Sequence, residues 1–281
     1  SYVRFLINLG IKPADFVTMY KISCIHPTCR TKLAIETRKK WLELAENPEI
    51  IQYITCFDSS NKKELNKRKN IDNNLIDIFE PYSFGIVKKC NIAARYAKAN
   101  CIIVATDDTI PEKGWDTKIL NTADWSQEIV LNVSDGTEEK DTRVYMVKTV
   151  ILSLKRYKKL GYVLHPEFDH VYCDNFHSWI SHRDGVVLNR KNIMFEHLHP
   201  SMGKSKVDDI YLKCNTQSQY DRGEKIFQKL ARKLLSKQKL DSFITEFTYE
   251  VDPIKKFILA FLILSHDTKF EKKLTEIARE T

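Results

Sequence analysis

Two adjacent carboxylates, Asp107 and Asp108, close the apolar run Ile102-Ile103-Val104-Ala105-Thr106. A short β-branched run reads as a buried strand, and acidic side chains at its carboxyl end sit where open α/β sheets bind ligands. Adjacent carboxylates repel, so a fold that keeps them there is expected to supply a cation. Oxygen ligands suit Mn2+ or Mg2+, ions that take substrate phosphates among their other ligands. Read alone, the segment fits a strand ending in a solvated Asp-Asp turn equally well.

Two later clusters could share that chemistry. The first is Leu164-His165-Pro166-Glu167-Phe168-Asp169-His170-Val171-Tyr172-Cys173-Asp174, which precedes a helical stretch at Asn175–Ser181. Asp174 opens that helix and could equally be its N-cap. The second is Phe195-Glu196-His197-Leu198-His199-Pro200, followed by Gly203-Lys204. On an extended segment His197 and His199 point to one side, and imidazole is a good ligand for Mn2+-type ions. His165, His170, His177 and His182 are read as structural or acceptor-side and take no assigned role.

The elements that must position these residues alternate over the first hundred positions. Lys21–His26 reads as a strand and Pro27–Thr31 as a turn. A helix spans about 32–46, with Leu33, Trp41, Leu44 and Ala45 on its apolar side, and Asn47-Pro48 ends it. Ile50–Phe57 is a second strand ending at Asp58. A polar loop or short helix runs to Asn74, and a helix over 86–99 packs through Val87, Cys90, Ala93, Ala94 and Ala97. The Cys101–Thr106 strand follows. Such alternation implies a parallel sheet with right-handed crossovers. Beyond Asp108 the expected strands are 129–133, 144–147, 186–188 and 193–195, with a helix over 150–160. Helices dominate from about 208, including 224–239 and 253–265.

The chain has 281 residues, 43% of them hydrophobic, enough for a substantial core. It shows no signal peptide, and its most apolar late segment, 257–264, falls far short of the roughly 20 residues that span a membrane. Seven scattered cysteines form no CxxC pair, which points to a reducing compartment and away from structural zinc; a cytoplasmic location is expected. The formal charge of +8 is concentrated at 62–69 and 222–239. Anionic partners fit such stretches, as do solvated basic faces.

The order of parts resembles the nucleotide-sugar half of GT-A-fold glycosyltransferases of the inverting family-2 type. The resemblance rests on Pro27-Thr28-x-Arg30 after the first strand, Asp58 after the second, Asn91-x-x-Ala94-Arg95, Thr106-Asp107-Asp108, Pro111 and Gly114-Trp115, and it spans about residues 20–200. It implies a GT-A-type, Rossmann-like α/β mixed sheet flanked by helices. The catalytic domain would be 1–207, with a nucleotide-sugar half at about 20–115 and an acceptor and metal half at 116–207. Residues 208–281 would form a helical C-terminal region.

The resemblance also implies roles. His26, Pro27, Thr28, Arg30, Asn91 and Lys204 would line the nucleotide-sugar site. Asp58 would accept a hydrogen bond from the base, uracil in many members. Asp107 would face the ribose or sugar, and Asp108 would hold Mn2+ or Mg2+ with a late histidine, His199 ahead of His197. Asp-Asp-Thr stands where the family has Asp-x-Asp, so either aspartate could carry the ion. Asp174, with Asp169 as fallback, would be the general base that deprotonates an acceptor hydroxyl, although Cys173 replaces the first residue of the family's Glu-Asp pair. Arg95 or Lys88 could assist the leaving diphosphate, although each reads first as a solvated helix charge. The implied reaction is inverting, hexosyltransferase-type transfer from a nucleotide-sugar donor, UDP-linked by preference, to a glycan, protein or DNA acceptor.

Two readings compete with it. A nucleotidyltransferase predicts a Gly-rich phosphate loop after the first strand, and Pro27-Thr28-Cys29-Arg30 is not one. A nucleic-acid-binding protein, or a DNA-modifying glycosyltransferase with a polyanionic acceptor, rests on the basic stretches.

Overall fold

The computed structural model describes residues 20–59, 68–72, 74–81, 85–138, 145–198, 200, 203–205 and 207–234. The expected helix at 253–265 and part of the 62–69 basic stretch lie outside them. The described residues form a nine-stranded mixed sheet with seven α-helices. The strands are β1 (Ile22–Thr28), β2 (Ile51–Asp58), β3 (Arg68–Asp72), β4 (Leu75–Glu80), β5 (Cys101–Val104), β6 (Thr109–Pro111), β7 (Val130–Ser134), β8 (Ile151–Ser153) and β9 (Val187–His197). The helices are α1 (Thr31–Leu44), α2 (Ile86–Ala94), α3 (Trp115–Leu120), α4 (Leu154–Leu160), α5 (Cys173–Arg183), α6 (Asp209–Cys214) and α7 (Gln217–Leu234).

The strand order is β3-β4-β2-β1-β5-β8-β7-β9-β6. The strands β4, β2, β1 and β5 run parallel, so their carboxyl ends, with Glu80, Asp58, Thr28 and the residues after Val104, gather along one edge. Their near-continuous apolar character follows from burial on both faces. One face is covered by α2, α5 and α7 through Cys90, Ala93, Phe176, Trp179, Phe227 and Leu230. The other is covered by α1 and α3, where Trp41 and Trp115 pack against Phe195.

Several expectations need correction. Pro27 and Thr28 belong to β1, not to a turn. The carbonyl of Ile25 accepts from Ala105 and β5 pairs no further than Val104. Two residues on, the nitrogen of Pro27 therefore points past the end of β5, where no amide donor is needed. The segment read as a loop to Asn74 contains β3 and leads directly into β4. In β4 the central Asp77 is paired with Arg38 at 2.7 Å, which hides the strand in the sequence. No strand lies at 145–147; Ile151–Ser153 is the strand, and the helix begins only at Leu154, capped by the Ser153 hydroxyl. The two short strands expected at 186–195 are one, β9, with a register shift at Ser134 and Met194. Below the shift β9 pairs with β7, and above it with β6. Leu33 is exposed rather than packed, α1 ends at Leu44 and α2 at Ala94.

Helix α7 starts at Gln217, seven residues before the expected start. It buries Phe227, Leu230 and Ala231 in the common core. Two of its basic residues are spent on internal ion pairs, Arg222 with Asp169 at 2.7 Å and Lys229 with Glu167 at 2.7 Å. Among the described residues no helix is long and apolar enough to cross a membrane.

Candidate functional site

The carboxyl end of β1 and the turn after β5 meet at Asp107. His26, fully buried, brings Nε2 to 2.9 Å from Asp107 Oδ1, while its Nδ1 lies 2.9 Å from the Tyr53 hydroxyl. The Thr28 hydroxyl donates to the same carboxylate at 3.0 Å, and an Arg30 guanidinium nitrogen lies 3.6 Å from Oδ2. Arg30 is itself clamped by Asp208, with two hydrogen bonds of 2.9 Å. Asp208 caps α6 through the Tyr211 amide. A carboxylate so enclosed is a fixed acceptor. His26 therefore lies beneath the site as the support of Asp107. Pro27 is buried within β1 opposite Cys56.

Asp108 is built differently. Its side chain is 41% exposed; Oδ1 accepts from the Thr106 hydroxyl at 2.8 Å, and Oδ2 faces His197 Nε2 at 3.3 Å. Burial would raise the carboxyl pKa, but the hydrogen bond and charge of His197, with the Thr106 hydroxyl, hold it down at about 2. Burial would lower the imidazole of His197, and Asp108 more than offsets this, so its pKa is raised. Each group thus favours the charged form of the other, and a divalent ion would compete with the proton between them.

The upper part of β9 sets this geometry. His197 pairs with Thr109, the Leu198 amide donates to the Asp108 carbonyl at 2.7 Å, and the His197 amide donates to the Asp135 carbonyl at 3.0 Å. Trp41 donates from Nε1 to the Thr109 carbonyl at 2.7 Å, fixing the turn from below. Among the described residues no three His, Cys, Asp or Glu side chains converge as a metal cluster. Asp108 and His197 supply one oxygen and one nitrogen donor, a set that suits Mn2+ when phosphate and water complete the shell. His199 lies outside the described residues. Lys204 reaches Glu196 at 2.8 Å.

At the end of β2, Asp58 is paired with Lys89 of α2 at 2.9 Å, both side chains less than a tenth exposed. Lys89 also donates to the Thr28 carbonyl at 3.4 Å, tying β1, β2 and α2 together. Removing one member of a buried pair costs about 3–5 kcal/mol. Lys89→Met is therefore expected to lower the urea midpoint by that equivalent with the unfolding slope unchanged. Asn91 is engaged with the backbone: Nδ2 donates to the Leu164 carbonyl at 2.7 Å and Oδ1 accepts the Val163 amide at 2.9 Å. It pins the acceptor-side segment to α2, and its ring of contacts places it beside a groove of about 940 Å3 that Lys88, Arg95, Phe168, Asp169 and His170 also line.

That acceptor-side segment is docked tightly. The Asp169 carbonyl accepts from the Val87 amide at 3.3 Å, and a Cβ on Gly85 would lie 1.9 Å from the same oxygen. Gly85→Ala is expected to force the segment away and to cost about 1–3 kcal/mol, checked by thermal unfolding. Gly223 of α7 makes a similar close approach to the Val171 carbonyl from the other side. Between them Tyr172 has a left-handed backbone (φ 68°), unique among described non-glycine residues. Strained backbone of this kind gathers at functional sites. Tyr172, not Asp174, occupies the N-cap of α5. Asp174 is the second helical residue and accepts from the Asn175 amide at 2.9 Å. His165 packs edge-on against Phe176, His177 is buried with its pKa lowered to about 4 by burial, and His182 contacts the Tyr145 carbonyl at 2.8 Å.

Sequence reasoning missed Lys89, Tyr53 and Asp208. They touch the site through partners 27 to 178 positions away, and no local spacing announces such contacts.

No protein-family model and no curated protein matches the chain. Solved structures do. S. aureus TarS 1–349 in complex with UDP-GlcNAc superposes with a TM-score of 0.58 at 14% identity, over 88% of this chain and 72% of that one. The same protein in complex with UDP gives a TM-score of 0.54. The mannosyltransferase PcManGT from Pyrobaculum calidifontis, in complex with GDP-Man and Mn2+, gives 0.50 at 12% identity over 94% of this chain and 92% of that one. At such identities the likeness is one of architecture, and in architecture this chain has the GT-A fold.

Proposed function

We propose that the chain is a glycosyltransferase that moves a sugar from a nucleoside diphosphate donor to an acceptor hydroxyl, with inversion. The observation that carries the proposal is the division of labour between the adjacent aspartates, at the strand ends of a GT-A sheet. Asp107 is enclosed by His26, Thr28 and Arg30, whereas Asp108 is open and opposed by His197. This supports Asp108 and His197 as the protein ligands of Mn2+ or Mg2+, with His199 beside them in sequence, and Asp107 as the fixed acceptor for a donor hydroxyl.

A bound divalent ion supplies Lewis-acid stabilisation of the charge that builds on the departing diphosphate. The chain's own residues do the rest. Thr28 and Arg30 border the nucleotide, and Asp58, oriented by Lys89, offers the base an acceptor, which favours uracil with its N–H donor. Asp174 takes the proton from the acceptor hydroxyl as its oxygen attacks the anomeric carbon and the sugar–phosphate bond breaks. Solved GT-A neighbours that bind UDP-GlcNAc and GDP-Man support the donor class. Residues 1–207 would hold the transfer machinery and 208–281 a helical region that braces it. The acceptor class stays as wide as glycan, protein or DNA.

The test is calorimetric titration of the protein with UDP-GlcNAc, UDP-glucose and GDP-mannose, with and without Mn2+. The expected result is ion-dependent binding of at least one donor, with UDP-linked sugars ahead. Binding of none, at any Mn2+ concentration, overturns the proposal.

A further inference from the structure

We infer that His170 contacts the transferred sugar of the donor, giving a hydrogen bond from Nε2 to a sugar oxygen. The inference rests on the donor reading above and deepens it by naming a residue that separates a nucleotide sugar from the bare nucleotide.

The position of His170 is fixed by the backbone on both sides. The carbonyl of Asp169 is held against Gly85 and the Val87 amide, and two residues later Tyr172 takes the left-handed conformation. Asp174, the proposed base, follows two residues beyond that turn. The charges of Asp174 and Asp108, the proposed base and metal ligand, act on the imidazole, as do those of Lys89 and Arg30. In the donor reading the reacting sugar lies between Asp108 and Asp174, on the side of the segment that carries His170.

The ring itself shows what it can recognise. Its Nδ1 is buried and has no hydrogen-bond partner. An orphaned buried N–H is the rarer and costlier arrangement, which assigns the proton to Nε2. His170 also lines the inner end of the groove along α2, so Nε2 is the atom a ligand can reach. Burial keeps the ring neutral more strongly than Asp174 and Asp108 favour its charging. A neutral N–H beside two carboxylates is poorly suited to a phosphate and well suited to a hydroxyl, ether or amide oxygen. The diphosphate carries no such oxygen, whereas ribose, base and transferred sugar all do. The bond is placed on the transferred sugar because in the donor reading that is the part next to Asp174.

The experiment measures Kd for UDP and for UDP-GlcNAc, in Mn2+, on the wild-type chain and on His170→Ala and His170→Gln. GDP and GDP-mannose replace them if that pair binds more tightly. Circular dichroism and thermal melting follow each variant. One neutral hydrogen bond predicts that His170→Ala weakens the nucleotide sugar about fivefold to tenfold. The nucleotide alone is expected to change less than twofold. His170→Gln, whose amide N–H can replace Nε2–H, should recover most of the loss. Equal weakening of nucleotide and nucleotide sugar, or no weakening of either, overturns the inference while leaving the donor reading intact. Failure of the wild-type chain to bind any nucleotide or nucleotide sugar overturns both.

Discussion

Asp108→Ala is expected to abolish Mn2+-dependent donor binding and to lower turnover of that donor by about 1,000-fold or more. A bound ion contributes several kcal/mol of charge stabilisation to a departing diphosphate, and each 1.36 kcal/mol is a factor of ten in rate. In the proposed reading Asp108 is the oxygen ligand beside His197, so its loss would leave the ion without a carboxylate from the chain. The carboxyl group is ionised at every working pH, because His197 and Thr106 hold its pKa at about 2 against the effect of burial. The fold should survive the change. The side chain is 41% exposed, and the backbone of the turn is held independently by Leu198 on the Asp108 carbonyl and by Trp41 on Thr109.

Asp107→Ala provides the contrast. It would strip the buried His26 and Thr28 of their shared acceptor, so it should lower stability as well as donor binding. Titration with Mn2+ and donor, beside thermal melts of both variants, separates the two roles. An Asp108→Ala protein that still binds its donor only when Mn2+ is present would show that the ion sits elsewhere.

The ends of the first strands are marked locally in the sequence, whereas the weaker strands of the sheet are not. Asp107-Asp108 after an apolar run, Thr28 and Arg30 after the first strand, and Asp58 after the second are each local signals. They mark strand ends, which the fold gathers on one edge. What they leave open is which carboxylate is enclosed, because the enclosing groups come from afar: Tyr53 reaches it through His26, and Asp208 through Arg30. The strands that went unread are those with a weak period. Asp77 interrupts β4 and is tolerated only because Arg38 meets it. β8 has three residues. The Asn189-Arg190-Lys191-Asn192 stretch breaks the apolar pattern of β9 where the strand changes partners. Beyond the register shift the strand pairs with β6, which sets His197 beside Asp108.

In the basic C-terminal stretch, Arg222 and Lys229 pair with Asp169 and Glu167 beside the groove, so part of its charge joins α7 to the segment before α5.

Asp174→Asn is expected to reduce the rate of sugar transfer by about 100- to 10,000-fold, the contribution of a positioned general base, while the donor Kd stays within twofold. The substitution preserves size and keeps an oxygen for the Asn175 amide. It removes the one property transfer needs, an acceptor for the hydroxyl proton. A negative charge in the first turn of α5 favours the helix by only about 0.3–1 kcal/mol, so the fold is retained. The loss should therefore fall on kcat and not on donor binding, which is the mark of an interaction made in the transition state.

Asp169→Asn is the necessary companion. The Asp169 side chain is 49% exposed and paired with Arg222, and its docking function belongs to the backbone carbonyl, so this variant should retain most of its activity. Rapid-quench turnover of the bound donor, run on both variants beside calorimetry, decides between the two carboxylates. Full activity in Asp174→Asn with loss in Asp169→Asn would move the base five residues earlier in the chain. Full activity in both would take base catalysis away from both aspartates of this segment.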